Sequence, residues 1–259
     1  CKNVELVGQG HFDIPLIEEE DYELQQLSQG ITQMAGQIGN LLEDVKREEQ
    51  LQHMTQLQLL QAQVNPHFLY NTLDTIMWLV EARKTKEAVY MLDRLSIFFR
   101  IALSTGQDII RLKEEIAHTR SYMEIQQIRY RDILDYRISL PEELEEFHLP
   151  KLTIQPLVEN ALYHGVKEKR GKSTIQISCG KEDGGVLIVV EDNGIGMKPE
   201  RKEELKAALE SGERAGFGLA AVHERIRLYC GKGYGVKIFS EYGEGTRIEV
   251  RISEEIQPQ

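Results

Sequence analysis

Apolar residues in the N-terminal part of the chain recur in alternating steps of three and four, at Leu24, Leu27, Ile31, Met34, Ile38, Leu41 and Val45. This spacing is typical of an a/d heptad seam, along which helices supercoil around a partner. The series breaks at Glu48 and resumes out of phase at Leu51, which locally alters the winding of a coiled coil. A dimeric coiled coil is therefore predicted, and the alternative is an amphipathic helix packed on its own domain.

The same periodicity predicts three more helices. Helical spacing continues through residues 64–82, and a second helix is predicted over residues 87–103. The polar stretch 83–86 between them is so short that the two helices must lie antiparallel. Paired across a dimer, this hairpin would form a four-helix bundle. A third helix is predicted over residues 112–130.

After residue 130 the pattern changes to alternation of apolar and polar residues, which indicates strands. Five are predicted, at residues 134–140, 173–179, 185–192, 234–240 and 245–252. Helical stretches are predicted among them, at residues 152–164, 199–210 and 218–229. The fold class is therefore α+β, with an N-terminal coiled coil and a dimeric helical-hairpin bundle followed by an α/β sandwich. The predicted domains are residues 1–50, 51–130 and 131–259.

Composition narrows the possible functions. The chain has 259 residues, 41% of them hydrophobic and 28% charged, as expected of a soluble globular protein. Its net charge of -11 argues against a direct nucleic-acid partner, because binding the phosphate backbone requires clustered cations. The three cysteines have no spacing typical of zinc sites or disulfides, which suggests a reducing cytoplasm. Because the sequence begins with Cys1, we expect a piece of a longer protein whose remaining part lies in a membrane.

A proline and a histidine interrupt the first of these helices, in the stretch QVNPHFLYNTL. Pro66 would cost about 3 kcal/mol in an ordinary helix interior, so a kink is expected there. His67 lies on that turn, and Asn71 lies one turn further along the same face. A neutral imidazole has a free lone pair and can accept a phosphoryl group, although a histidine among apolar residues can also be structural. Five other histidines are expected to be structural or to lie on the surface: His11, His53, His118, His148 and His223.

Two glycine-rich stretches point to a ligand. In EDNGIGM a predicted strand ends at Asp192, and Gly194 and Gly196 let the backbone turn sharply and approach a bound molecule. The acid beside them can accept a hydrogen bond from an amino group. In GFGLAAV, Gly216 and Gly218 precede a helix whose free N–H groups favour phosphate.

A third stretch, LVENALYHG, places Asn160 and His164 one turn apart on a helix. An amide oxygen can bind magnesium that also contacts phosphates. The chain lacks both the P-loop pattern and the glycine loop of protein kinases, so those two phosphate-binding motifs are excluded.

The order LVENALYHG, DNGIGM, GFGL and GEGT resembles the N, G1, G2 and C-terminal boxes of the Bergerat ATP-binding fold, which histidine kinases share with gyrase and Hsp90. The resemblance implies ATP and Mg²⁺ as cofactors, with Asn160 as the magnesium ligand. Asp192 would accept the adenine amino group, and Thr246 would lie behind the adenine. The other residues implied to bind ATP are His164, Lys167, Gly194, Gly196, Met197, Gly216, Phe217, Gly218 and Leu219. Residues 197–215 resemble the lid of that fold.

Two positions depart from the Bergerat pattern. Members that hydrolyse ATP carry a glutamate base one turn before the magnesium asparagine, where this chain has Pro156. Hydrolysis of ATP by water is therefore not the expected reaction. Many histidine kinases have a lysine three residues after that asparagine, where this chain has Tyr163. Lys167 is the candidate to supply the missing charge.

The stretch around His67 resembles the phosphoacceptor box of bacterial sensor histidine kinases of the autolysin-regulator type, and the whole resemblance covers residues 61–252. It implies that His67 is the phosphoacceptor and that Asn71 orients its ring. The general base stays open, because Phe68 stands where many histidine kinases have an acid. Residues 11–34 resemble the connector and second helix of a HAMP module; a plain coiled-coil leader is the alternative.

The resemblance implies the cytoplasmic portion of a two-component sensor histidine kinase from a bacterial plasma membrane. The chain would be a homodimer joined through the coiled coil and the helical bundle, autophosphorylate on His67, and pass the phosphoryl group to an aspartate of a response regulator. Membrane attachment would come through a preceding segment. One alternative is a nucleotide-binding scaffold or phosphatase with little kinase activity. An ATPase of the chaperone or topoisomerase type is disfavoured by Pro156.

Overall fold

The computed structural model describes residues 66–102, 108–211 and 218–256, together with six isolated helical positions before residue 39. The predicted HAMP-like segment and nearly all of the predicted coiled coil lie outside these described residues. Residues 39–65 lie outside them too, so the predicted kink at Pro66 stays a prediction. The chain divides into residues 1–65 and a compact unit from Pro66 to Gln259. No helix in the described residues is long and apolar enough to cross a bilayer.

The compact unit begins with a helical hairpin. Helix α1 spans Pro66–Glu81 and helix α2 spans Thr85–Ala102, joined by a turn in which Arg83 adopts a positive φ of 58°. Their buried faces follow helical spacing: α1 contributes Phe68, Thr72, Ile76 and Leu79, and α2 contributes Ala88, Met91, Leu95, Phe98 and Ala102. The predicted hairpin is therefore confirmed, and its two helix ends at the turn lie one or two residues from those expected.

Helix α3, Leu112–Arg129, follows a short strand β1, Ile109–Arg111. The Glu114 carboxylate accepts the backbone N–H of Arg111 at 3.0 Å, which caps the start of the helix. Ten of its eighteen residues are buried, and they include polar ones such as His118 and Gln126. Helix α3 packs against α2 and also contacts the sheet and the next helix, so it joins the hairpin to the rest of the unit.

The five predicted strands form one mixed sheet. They are β2 (Leu134–Ser139), β4 (Ser173–Glu182), β5 (Gly185–Asp192), β6 (Gly235–Glu241) and β7 (Gly245–Ser253). Their order is β2-β4-β5-β7-β6, with β2 parallel to β4 and every other pair antiparallel. Helices α5 (Pro199–Ser211) and α6 (Gly218–Cys230) contact the sheet. The predicted α/β sandwich is confirmed.

One predicted helix is wrong in part. The stretch expected as a helix over residues 152–164 contains helix α4 only at Gln155–Asn160, and a π-helix then runs through Ala161–Val166. The helix starts late because Leu152 has a positive φ of 58°, and because the N–H groups of Leu152 and Ile154 donate to the buried Glu115 carboxylate, at 3.0 and 2.8 Å. That partner lies 37 to 39 residues away along the chain, where local periodicity cannot reveal it.

Two short elements were not predicted. Strand β3, His148–Pro150, pairs antiparallel with β1, and a 3₁₀ turn covers Glu142–Leu144. Three-residue elements carry too little periodicity to be read from sequence.

Candidate functional site

The site is built around a buried carboxylate at the end of the central strand. Asp192 ends β5, is 5% exposed, and accepts the backbone N–H of Gly194 on Oδ1 at 2.8 Å. Burial raises the pKa of Asp192 to about 6, against the opposing effect of hydrogen bonds from the backbone of Gly194 and Thr246. This carboxyl therefore changes its charge close to neutral pH.

The loop after Asp192 is packed too tightly for side chains at its glycines. A Cβ on Gly194 would lie 2.3 Å from the carbonyl carbon of Gly165, and one on Gly196, whose φ is 71°, would lie 2.0 Å from the carbonyl oxygen of Glu241. The N–H of Ile195 donates to the Gly165 carbonyl at 3.1 Å, and the Ile195 carbonyl accepts the N–H of Gly243 at 2.6 Å. The loop is thus held between the π-helix and the β6–β7 turn.

Gly165 is a site residue that the sequence analysis missed. It is buried in the π-helix, and a Cβ there would lie 2.5 Å from Asp192 Oδ1. Only glycine leaves room for the carboxyl group beside it. The signal in the sequence was the glycine that ends LVENALYHG, which is equally typical of a helix end.

Ser240 and Thr246 connect the loop to the sheet. Thr246 is buried on β7 directly opposite Asp192 in the β5–β7 register, and its Oγ1 lies 2.9 Å from Ser240 Oγ. Ser240 Oγ also accepts the N–H of Met197 at 2.9 Å. Met197 is half-buried and packs against the core. Ser240 was not predicted, because its role depends on two partners from other elements.

Asn160 is half-buried and stands where α4 passes into the π-helix, a local form frequently found at functional sites. His164 is exposed in the π-helix. A nucleotide-bound Mg²⁺ takes most of its ligands from phosphates and water, so a single amide oxygen such as that of Asn160 fits the ion. Its chemistry would be to neutralise charge on the phosphates. The assignment of Asn160 stays a prediction.

Lys167 lies over two aromatic rings. Its Nζ is 4.8 Å from the ring centroid of Tyr163 and 5.0 Å from that of Tyr130. Tyr163, which stands in place of the usual lysine, therefore helps to hold another lysine by cation–π attraction. Contact of Lys167 with phosphate stays a prediction.

The start of α6 meets the N-box helix. A Cβ on Gly218 would lie 3.4 Å from Pro156 Cβ, and Leu219 is buried. Gly216 and Phe217 lie outside the described residues. Of the predicted lid, residues 199–211 form helix α5, and residues 212–217 lie outside the described part of the chain.

His67 is exposed on the first turn of α1, while Phe68 beside it is buried. The Phe68 ring lies between Phe98 and Tyr122, with centroid distances of 4.9 and 5.1 Å. Asn71 is half-buried, and its Nδ2 has no hydrogen-bond partner among the described residues. The buried phenylalanine fixes the turn so that its neighbour faces solvent.

Two family models match the chain. The model described as histidine kinase matches residues 55–134, and the model described as histidine kinase-, DNA gyrase B-, and HSP90-like ATPase matches residues 148–256. The chain therefore combines a histidine kinase region with an ATPase region of the type shared by histidine kinases, DNA gyrase B and HSP90. The second model confirms the predicted Bergerat fold of residues 148–256 and implies that this part of the chain binds ATP.

Several relatives are similar over most of this chain. Sensor histidine kinase YesM of Bacillus subtilis is 37% identical over 239 residues, which are 92% of this chain and 40% of the relative. Sensor histidine kinase BtsS of Escherichia coli is 32% identical over 227 residues, 87% of this chain and 38% of the relative. The chain thus spans about 40% of the length of these proteins. The histidine kinase domain of a blue-light activated kinase from Erythrobacter litoralis superposes with a TM-score of 0.42 at 15% identity, covering 74% of this chain and 90% of that one.

The ionisation of Asp192 should control adenine binding. A carboxylate accepts a hydrogen bond from an amino group better than a neutral carboxyl, so affinity should weaken as the pH falls through about 6 and level off at higher pH. We expect this in calorimetric titrations with adenosine, which carries no phosphate groups to titrate in that range. Asp192→Asn should bind weakly at every pH. An equal pH dependence in that variant would contradict the assignment.

Gly165→Ala should displace the Asp192 carboxyl and weaken ATP binding at least about tenfold, which corresponds to about 1.4 kcal/mol. The matched control is Gly180→Ala in β4, where an added Cβ meets nothing within 4 Å. Calorimetry with ATP on both variants measures the difference. Equal affinities would show that the close approach of Gly165 to the carboxyl is unimportant.

Proposed function

We propose that this chain uses Mg-ATP to phosphorylate its own His67 and then donates the phosphoryl group to an aspartate of a response regulator. The observation that carries the proposal is an exposed imidazole, fixed by a buried neighbour, in the same compact unit as a Bergerat site. The matches of residues 55–134 and 148–256 to the two family models support it.

The residues around Asn160 favour transfer of the phosphoryl group to a side chain over hydrolysis of ATP by water. Pro156 occupies the position of the hydrolytic glutamate and packs near Gly218, so it offers no group that takes a proton from water. The nearest carboxylate in sequence is Glu159, which accepts a hydrogen bond from Gln155 at 2.8 Å. A histidine nucleophile is therefore the better acceptor of the phosphoryl group.

In the proposed step, an imidazole nitrogen of His67 forms a bond to the γ-phosphorus while the bond from that phosphorus to the bridging oxygen breaks, and ADP leaves. Such transfers depend mainly on positioning and on charge neutralisation. Asn160 would hold the Mg²⁺ that neutralises phosphate charge, and Lys167 would add a second positive charge. We propose that Asn71 orients the ring. The imidazole gives up its N–H proton as the new bond to phosphorus forms.

A homodimer is supported by a second apolar face on α1. Tyr70, Leu73, Met77 and Val80 are spaced by three or four residues, all are exposed, and they alternate with the buried face of the same helix. A helix with two apolar faces has one available for a partner. Pairing two such hairpins would give the predicted four-helix bundle.

We also propose that the chain is the cytoplasmic portion of a longer membrane sensor. The resemblance of residues 11–34 to a HAMP module supports this, as does the share of about 40% of its relatives' length that the chain spans. In that arrangement a stimulus received by a preceding segment would reach the turn of His67 through the predicted coiled coil.

Incubation with γ-labelled ATP should give an acid-labile, base-stable label on the protein, and His67→Gln should abolish it. The control is His148→Gln, an exposed histidine of β3 that should keep the label. Label retained in His67→Gln would contradict the assignment. Tight ATP binding without any label would favour the scaffold or phosphatase, and steady phosphate release without phosphoprotein would favour an ATPase.

Met77→Glu should weaken the dimer, because a two-fold interface contains the new charge twice. We expect the dissociation constant to rise at least about tenfold in sedimentation equilibrium of the full chain. Lys86→Glu is the control, since it places the same side chain at an exposed polar position near the turn of the hairpin. An unchanged constant for Met77→Glu would place the dimer contact elsewhere.

A further inference from the structure

A chain of buried hydrogen bonds runs from the hairpin to the residue before Asn160. His118 Nδ1 lies 3.2 Å from the Phe98 carbonyl oxygen of α2, and its Nε2 lies 2.5 Å from Gln155 Oε1 at the start of α4. Gln155 Nε2 then donates to Glu159 Oε1 at 2.8 Å. Both partners of the ring are carbonyl oxygens, which only accept, so Nδ1 donates to Phe98 and Nε2 donates to Gln155. Three separate helices are thereby joined by side chains.

An aromatic cluster fixes the position of His118, the first side chain in this series of hydrogen bonds. The His118 ring stacks on the Phe98 ring at a centroid distance of 4.4 Å and an interplanar angle of 16°. Phe98 in turn contacts Phe68, the residue after His67. The phosphoacceptor turn and the hydrogen-bonded chain therefore share one packed cluster.

Helix α4 has little structure of its own to fix its end. It is six residues long and passes directly into a π-helix. Helix α3 holds it at both ends instead. Glu115 accepts the N–H groups of Leu152 and Ile154 before the helix, and His118 reaches Glu159 through Gln155 along it. Because buried polar groups are costly when unpaired, each bond of this chain constrains where the end of α4 can lie.

We propose that His118, Gln155 and Glu159 are positioning residues that hold Asn160 for Mg²⁺ in a fixed relation to the hairpin carrying His67. The inference rests on the proposed function, because that function assigns the Mg²⁺ to Asn160. It adds that helix α3 helps to fix the position of the metal site, in addition to the four sequence boxes that would surround the nucleotide. Partners that orient a metal ligand typically affect metal affinity when they are removed.

The test is the effect of Mg²⁺ on ATP affinity, measured by calorimetry in the full chain. Gln155→Met keeps the length of the side chain and breaks the hydrogen-bonded chain at its centre. We expect the half-saturating Mg²⁺ concentration to rise about tenfold or more, while affinity for adenosine without Mg²⁺ stays unchanged. The control is Gln126→Met, which removes a buried amide of α3 that takes no part in the bonds among His118, Gln155 and Glu159.

A second pair of variants, at Glu159, tests the proposal even if Gln155→Met fails to fold. Glu159→Gln keeps an acceptor for Gln155 and should retain the Mg²⁺ response, whereas Glu159→Met should lose it to the same degree as Gln155→Met. Normal Mg²⁺ dependence in Gln155→Met or Glu159→Met would overturn the proposal. Equal loss in Glu159→Gln and Glu159→Met would also overturn it, because charge rather than hydrogen bonding would then be required.

These outcomes can be told apart from failure of the proposed function. Calorimetry measures ATP and Mg²⁺ binding without any phosphorylation, so a chain that never labels His67 would still report on Gln155. Conversely, labelling of His67 with unchanged Mg²⁺ dependence in the variants would keep the proposed function and remove the positioning role.

Discussion

The burial of helix α3 on both sides is the constraint on which the rest of the compact unit depends. One side packs against α2 of the hairpin, and the other meets α4 and the edge strand β2. The helix consequently buries polar side chains, and Glu115 and His118 find their partners in neighbouring elements. Because buried polar groups need such partners, the packing of α3 specifies where α2 and α4 must lie.

A second constraint operates at the loop after Asp192. The loop after Asp192 approaches the π-helix and the β6–β7 turn more closely than any Cβ would allow. This proximity leaves one carboxyl group buried beside backbone donors, and the burial is what raises the pKa of Asp192. The same features that shape the loop therefore also set the chemistry of Asp192, since an acceptor held by backbone groups is already oriented before a ligand arrives.

The two parts of the proposed reaction are arranged differently. The adenine end is fixed by glycine packing and by the β5–β7 register, whereas the phosphoacceptor is an exposed side chain on a turn that Phe68 anchors. Such an arrangement suits a reaction in which a rigid nucleotide site must meet a separate acceptor, because an exposed histidine remains accessible to ATP and afterwards to a regulator. The second apolar face of α1 is consistent with a partner hairpin beside it.

Local patterns in the sequence determined the helices of the hairpin, the five strands and the position of the glycine boxes, because period and glycine content are properties of neighbouring residues. They placed Asp192 at a strand end and His67 beside a proline. Only the tertiary structure decided that Gly165 lies against Asp192, that Ser240 supports the loop, and that α4 ends in a π-helix. It also decided that His118 joins Phe98 to Gln155. These features depend on partners up to 43 residues apart, and which partner is reached is set by the packing of whole helices and strands rather than by any local spacing.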